Sequence, residues 1–361
     1  MKIAYLAEWQ AYRSSGVLNK ISMQSKLWQK LGHEVQVFLV SPPEEDPVLP
    51  PEMPGLQLFT HPLSSRIPQK GIYYVNKLLS VAGLEKAVKT FLPDFIYYRQ
   101  GIWYPGLLKV LRLAPFAVEI NSLEANELKL MSLLKRTVHL KTRNMVLGKA
   151  AALVAVSHEI AESLAEFDKP TVVVSNGFDT SSITIPTKTK NDRCQLIFAG
   201  SPDMTWHGVD KLLFLAEHCP DYDFHIVGPS IKVTLQNVTV YGLLTKTELY
   251  KLYPQMDIGI GTLALHRAGL EEASPLKVRE YLAFSLPVVV GYEDTDLKDC
   301  EYALNLGNFE DNVKDNVLTI RRFVTRWHNK AIPYRDVQER IDLSYKETRK
   351  IEFIQTVVKQ S

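Results

Sequence analysis

The run Glu271-Glu272-Ala273-Ser274-Pro275-Leu276-Lys277-Val278-Arg279-Glu280 gathers three carboxylates and two cations in ten residues. Ser274 followed by Pro275 predicts a helix start: a capping hydroxyl, then proline at the first helical position. Val278, Tyr281, Leu282 and Ser285 recur at helical spacing, and Pro287 stops the helix and opens a strand. Glu280 then falls in the second turn and Glu272 in the loop ahead of the cap. Lys277 and Arg279 stand near the helix N-terminus, where the helix dipole disfavours a cation by roughly 0.3–1 kcal/mol. Backbone donors and two cations at one helix end suit a phosphate group. The same residues also fit a solvated surface on which Glu271 and Glu272 offset the cations; spacing leaves both readings open.

Further polar residues close apolar runs: Tyr98-Arg99-Gln100, Glu119-Ile120-Asn121 and Ser157-His158. Caps and turns use the same residue types. Glu119 and Asn121 are the better candidates, because a charge at a buried strand end needs a partner. Gly16 lies between the first strand and the first helix, where it could allow close backbone approach to a ligand or simply serve a loop. Two Asp-x-Asp patterns, Asp221-Tyr222-Asp223 and Asp294-Thr295-Asp296, have the form of a divalent-metal pair. Both flank predicted strands, turn chemistry explains them, and no metal is expected. Cys194, Cys219 and Cys300 are odd in number and far apart, against a disulfide framework or zinc site and in keeping with a reducing compartment. No G-x-G-x-x-G follows the first strand, which counts against a nicotinamide dehydrogenase.

These residues need elements to place them. Short apolar runs recur at 3–7, 35–40, 95–98, 116–120, 153–156 and 171–174, then at 196–199, 224–227, 238–241, 258–260 and 287–290. Near-continuous Val- and Ile-rich runs suit strands of a parallel sheet buried on both faces. The stretches between read as helices: Leu18, Ile21, Trp28 and Leu31 share one stripe, and Gly32 sits where that helix would end. Strand alternating with helix twice over predicts two doubly wound α/β domains. The expected division is an N-terminal domain over 1–178, a polar linker over 179–192 and a second domain over 193–339. A charged, helix-prone tail follows, its final helix at about 340–361.

The chain has 361 residues, and its 42 basic and 40 acidic side chains leave a net charge of +2. That balance gives no argument for nucleic acid. The opening MKIAYLAEW is broken by Glu8 and reads as a strand rather than a leader. No apolar run reaches the roughly 18 residues of a membrane span. From 128 to 150 there is no acid, while Lys129, Lys135, Arg136, Lys141, Arg143 and Lys149 alternate with leucines. Such a surface is a solvated helical face or a rest for anionic lipid headgroups.

Glu272 and Glu280, separated by seven residues, resemble the E-x7-E element of the family 4 retaining glycosyltransferases. The Tyr281-Leu282-Ala283 and Leu286-Pro287-Val288-Val289 that follow resemble its continuation. Other pieces agree in order: Ala155-Val156-Ser157, Ser175-Asn176-Gly177-Phe178-Asp179, Phe198-Ala199-Gly200 with Gly208-Val209-Asp210, His225-Ile226-Val227-Gly228 and Val240-Tyr241-Gly242. The resemblance implies the GT-B fold, two Rossmann-like domains facing a central cleft, with the tail helix packing back on the first. It implies transfer of a sugar from a nucleotide-diphosphate sugar to a glycan, lipid-linked or small-molecule acceptor with retention of configuration. Glu280 would hold the donor ribose, and Glu272 would lie beside the donor sugar. Ser274, Pro275, Leu276 and Lys277 would serve the diphosphate and sugar, with Lys277 and the helix N-terminus taking the leaving-group charge without a metal or other cofactor. Gly200, Ser201, His207, Gly228 and Gly242 fall on the donor side; Gly16, Arg99, Glu119, Asn121 and Ser157 fall on the acceptor side. The implied setting is cytoplasmic, with peripheral contact at the inner membrane face through 128–150.

The sequence departs from the family at Ser201 and His207, which stand where members carry an Arg and a Lys for the diphosphate. The diphosphate would then lean on Lys277 and Arg279, or the site is weakened. An accessory subunit of low turnover, or a sugar-nucleotide epimerase of the same fold, are the alternatives. A phosphorylase would need a pyridoxal-phosphate lysine and a much longer chain.

Overall fold

The computed structural model describes residues 1–11, 16–42, 53–61, 69–123, 133–183 and 187–360. The chain forms two compact units, Met1–Val174 with Glu347–Ser361, and Ser175–Lys346.

The first unit is built on seven parallel strands: β1 (Lys2–Glu8), β2 (Glu34–Val40), β3 (Gln57–Phe59), β4 (Phe95–Arg99), β5 (Phe116–Ile120), β6 (Ala152–Ala155) and β7 (Thr171–Val173). Their order is β3-β2-β1-β4-β5-β6-β7. Successive side chains of a strand point to opposite faces. On β1, Ala4 and Leu6 enter one apolar core and Ile3, Tyr5 and Ala7 the other. Two-sided burial is why these strands read as unbroken apolar runs. The helix Gly16–Lys30 buries Leu18, Ile21 and Trp28. Leu31, expected on that stripe, lies beyond the last turn and is exposed. Gly32 follows with φ +86°, and its N–H bonds to the Gln29 carbonyl. From the C-terminal helix Leu343–Gln360, Ile351, Ile354 and Val357 fill the same core.

The second unit carries six parallel strands in the order β10-β9-β8-β11-β13-β15. These are β8 (Gln195–Ala199), β9 (Asp223–Val227), β10 (Val238–Gly242), β11 (Ile258–Ile260), β13 (Val288–Val290) and β15 (Ala303–Asn305). A separate pair joins β12 (Glu272–Ala273) to β14 (Glu293–Asp294). Strands β3, β12, β14 and β15 hold two or three residues each and were not among the expected runs.

The boundaries differ from those expected. The first unit ends at Val174 rather than 178, because the next residues are held by the second unit. The Phe178 N–H bonds to the Ile341 carbonyl at 2.7 Å, and the Asn176 N–H to the Ser274 hydroxyl at 3.0 Å. The described residues of the expected linker, 179–183 and 187–192, belong to the second unit. Lys188 pairs with the buried Asp257 at 3.2 Å, and the Thr189 N–H bonds to the Pro254 carbonyl. Of the tail, 347–361 joins the first unit while 340–346 stays with the second.

Candidate functional site

The loops after β8, β9 and β10 come together through their glycines. The Gly200 N–H donates to the Val227 carbonyl at 3.0 Å, and the Gly228 N–H to the Gly242 carbonyl at 2.7 Å. Gly228 has φ +102°, and a Cβ there would stand 1.7 Å from the Gly200 oxygen. No other residue fits such a crossing. A Cβ on Gly200 would meet the His207 ring at 2.7 Å. Three of the expected donor-side residues are thus one backbone scaffold, with His207 lying against it.

Into this corner comes Lys277, from the helix Leu276–Ala283. Its stem is partly exposed, but its ammonium is buried with no hydrogen-bond partner among the described residues. The ammonium lies 4.1 Å from the centre of the Phe198 ring. A cation–π contact offsets only part of the lost hydration. Burial therefore pulls the amine down to about 7. His207 packs edge-on against Phe198, with centroids 5.3 Å apart, and its Nδ1 is likewise unpartnered among the described residues. Burial, then the charge of Lys277, lowers that imidazole to about 4. At neutral pH it is uncharged. The first N–H groups of a helix have no acceptor within it, so Leu276 and Lys277 present backbone donors at the same end.

Pro275, not Ser274, is the cap residue, and no side chain caps this helix. The Ser274 hydroxyl is occupied otherwise. It accepts from Arg279 Nη2 at 2.8 Å and from the Asn176 N–H. Glu272, expected in a loop, is in β12, half-buried and in register with Glu293. Glu280 is partly buried and accepts from the Tyr253 hydroxyl at 3.1 Å. Burial raises its carboxyl above the ordinary value, against the pull of Tyr253 and Lys246.

Arg279 does not join Lys277. It is fully buried, bonded by Nη1 to Asp294 at 2.6 Å and by Nη2 to Asp296. Asp296 also receives Lys346 at 2.8 Å and the Ser175 hydroxyl at 2.7 Å. Spacing left open whether both cations face a ligand; tertiary pairing takes Arg279 away. The turn expected at Asp294-Thr295-Asp296 is present, the Asp294 carboxylate accepting from the Asp296 N–H at 3.1 Å, and both carboxylates serve in addition as counterions of the buried guanidinium. Asp221 and Asp223 pair with Arg321 and Arg193.

Beside the glycine corner is a cavity of about 380 Å³ whose lining includes Ser201, Asp203, Thr205, His207, Ser230 and Arg267. Arg267 was not anticipated by sequence. It is shared between Asp210 and Glu310, and no periodic or motif signal marks it.

In the first unit, Arg99 and Asn121 line a cavity of about 570 Å³. Glu119 is not among its lining residues: it is fully buried, with Lys20 at 3.0 Å, Arg99 at 3.5 Å and Lys350 at 3.7 Å. Burial opposes its ionisation, but the three cations outweigh that and hold the carboxyl well below the ordinary range. Ser157 is also buried, its hydroxyl accepting from the Ile160 N–H as the cap of helix His158–Ser163. Gly16 opens its helix on the exposed surface. Trp9, Tyr73, Lys77 and His139 line the cavity without having been expected there, and so does Glu8, which is bonded to Lys77 and to the Tyr98 hydroxyl. Glu8 was legible as a carboxylate at the end of an apolar strand, the signal that selected Glu119. Residues 128–132 of the basic stretch lie outside the described residues; the rest forms the helix Leu133–Leu147 and its following turn.

The fold has known counterparts over its whole length, and their class is GT-B. A sucrose-phosphate synthase from Thermosynechococcus elongatus superposes with a TM-score of 0.74 at 13% identity, covering 100% of both chains. The lipopolysaccharide outer core galactosyltransferase WaaB, in apo form, gives 0.66 at 13%, covering 99% of each. The catalytic domain of starch synthase IV from Arabidopsis thaliana, bound to ADP and acarbose, gives 0.66 at 11%, covering 99% of each. No curated protein matches the sequence. Residues 19–182 match the model of Glycosyltransferase Family 4.

Proposed function

We propose that the protein is a retaining glycosyltransferase that takes a sugar from a nucleotide-diphosphate donor bound in the second unit. The observation that carries the donor site is the Lys277 ammonium, buried without a counterion beside the glycine corner and a helix N-terminus. A buried cation is costly unless something compensates it, and a diphosphate supplies two charges and several acceptor oxygens at that point. Glu280, held by Tyr253, is placed on the same helix to bond ribose hydroxyls. Starch synthase IV was solved with ADP, in keeping with a nucleotide site in this fold.

In the reaction the bond from the anomeric carbon to the diphosphate oxygen breaks, and one to the acceptor hydroxyl oxygen forms. The electron pair of the broken bond stays on the diphosphate, where Lys277 and the backbone donors of Leu276 and Lys277 stabilise it. The acceptor proton passes to a departing phosphate oxygen. Glu272 faces the oxocarbenium-like sugar in this reading. The acceptor, a glycan, lipid-linked or small molecule, takes the cavity of the first unit. Exposed Arg136, Lys141 and Lys149, beside exposed Leu133, Val138 and Met145, support peripheral contact with anionic lipid on that unit. One observation favours a second reading, an accessory subunit of low turnover. With Ser201 and a neutral His207 at the usual cation positions, and Arg279 and Arg267 both paired with carboxylates, Lys277 is the unpaired cation at this corner among the described residues.

Calorimetry with UDP, GDP and ADP tests the reading, with Glu280→Ala as control. Binding of one nucleotide, weakened by the substitution, is expected; no binding to the intact protein would overturn it. Binding without hydrolysis or transfer of any donor would favour the accessory subunit.

A further inference from the structure

Around Glu119, in the first unit, positive charge is in excess. Lys20, Arg99 and Lys350 surround it, and the one other carboxylate in the group among the described residues, Glu347, bonds Lys350 at 2.7 Å. Both Glu347 oxygens are also engaged by neutral donors, Gln24 at 3.0 Å and Trp28 at 2.9 Å. Among the described residues, three cations thus share two carboxylates. Lys350 is enclosed and matched; the surplus falls on Lys20 and Arg99, whose side chains are 13% and 14% exposed.

The surplus opens onto the cavity. Arg99 lines it directly, and Lys20 donates at 2.8 Å to Asn121, which also lines it. Among the described residues, Arg99 makes one contact, at 3.5 Å from Nη1, so most of the guanidinium fork has no partner. An ideal bidentate carboxylate pair would lie at about 2.7–2.9 Å. Glu8, the carboxylate in the cavity wall, is occupied by Lys77 and Tyr98 and does not reach for Arg99. Trp9 and Tyr73 give the cavity an aromatic wall, and Gln100, Asn121 and His139 give it hydrogen-bonding groups. Its volume falls within the range of ligand sites, about 300–1,000 Å³.

We propose that this cavity takes an acceptor bearing an oxyanion, a carboxylate or phosphate on a sugar, with the anion seated on the Arg99 fork and the ring against Trp9 and Tyr73. This rests on the transferase reading and specifies its acceptor. A planar fork with free donors beside unbalanced positive charge recognises an oxyanion in a way a neutral hydroxyl does not reproduce.

The test titrates the intact protein, saturated with UDP, with glucose, glucuronate and glucose 6-phosphate by calorimetry or ligand-detected NMR. At least one acidic sugar should bind ten times more tightly than glucose; whether it is the carboxylate or the phosphate identifies the group. Arg99→Gln should abolish that preference while leaving UDP affinity unchanged, and Arg99→Lys should retain part of it. Equal binding of glucose and the acidic sugars, or no binding of any, would overturn the inference, and neither needs a folded variant. A preference that survives Arg99→Gln would overturn it too. If Arg99→Gln weakens UDP instead, the arginine serves the donor and the inference falls. Failure of UDP to bind at all is a different result, against the transferase reading itself.

Discussion

Two buried cation clusters, one in each unit, obey opposite rules. In the second unit Arg279 is fully matched by Asp294 and Asp296, while Lys277, two residues earlier, is buried with no partner among the described residues. In the first unit one carboxylate, Glu119, is surrounded by three cations, two of them partly exposed. A matched buried charge holds the fold together; an unmatched one leaves binding energy for something outside the chain. Proximity in sequence does not separate the two cases, since Lys277 and Arg279 begin the same helix.

That contrast can be broken by substitution. Arg279→Met should be the most damaging change. It leaves two aspartates in a cluster with only Lys346, and should cost about 3–5 kcal/mol in urea unfolding, as loss of one buried partner does. An Arg279→Met protein of unchanged stability that loses nucleotide binding would move Arg279 into the ligand site.

Glu119→Gln should come next, at about 2–4 kcal/mol, because it leaves three cations around a neutral group. Glu119 has a depressed folded pKa, so its stabilisation is present above the unfolded value near 4.3 and is lost as pH falls below it. Unfolding measured from pH 7 down to 3 should therefore show the wild type losing stability below about pH 4.3, with that part of the loss absent from Glu119→Gln.

Lys277→Met sharpens the other side. It should weaken nucleotide binding by about ten- to a hundredfold, the worth of a charge-assisted contact. The same change should leave thermal stability equal or higher, because an uncompensated buried amine is gone. A large loss of stability would mean that Lys277 is structural after all.

The smallest effect is on pH. An amine brought down to about 7 becomes charged as pH falls through that value, and a diphosphate binds the charged form. UDP affinity should fall by about tenfold from pH 6.5 to 8.5, a range in which the phosphate, with its second pKa near 6, stays largely ionised. A flat profile would show that Lys277 does not face the nucleotide.

Much of the scaffold was legible. The apolar strands β1, β4, β5 and β8 announce themselves because burial on both faces removes most polar alternation. The helix from Leu276 was also placed by local chemistry, while the glycines 200, 228 and 242 were reached only through the family resemblance. Less legible were the roles of the polar side chains. Ser157 and Glu119 satisfied the strand-end rule and proved to be a cap and a buried ion-pair centre, while Glu8 satisfied it and lines the cavity. Strand position sets where a side chain starts, not which neighbours from distant segments meet it.

The sequence by itself determined the doubly wound sheets, the helix that begins at Leu276 and its concentration of charge, because these follow from periodicity and local conformational preference. Only the tertiary structure decided which charges are spoken for. Arg279 is matched by residues that follow it by 15 and 17 positions, and Glu119 by Lys20, 99 positions before it, and Lys350, 231 after it. Compensation of a buried charge acts through space over a few ångströms, and chain order carries little information about it.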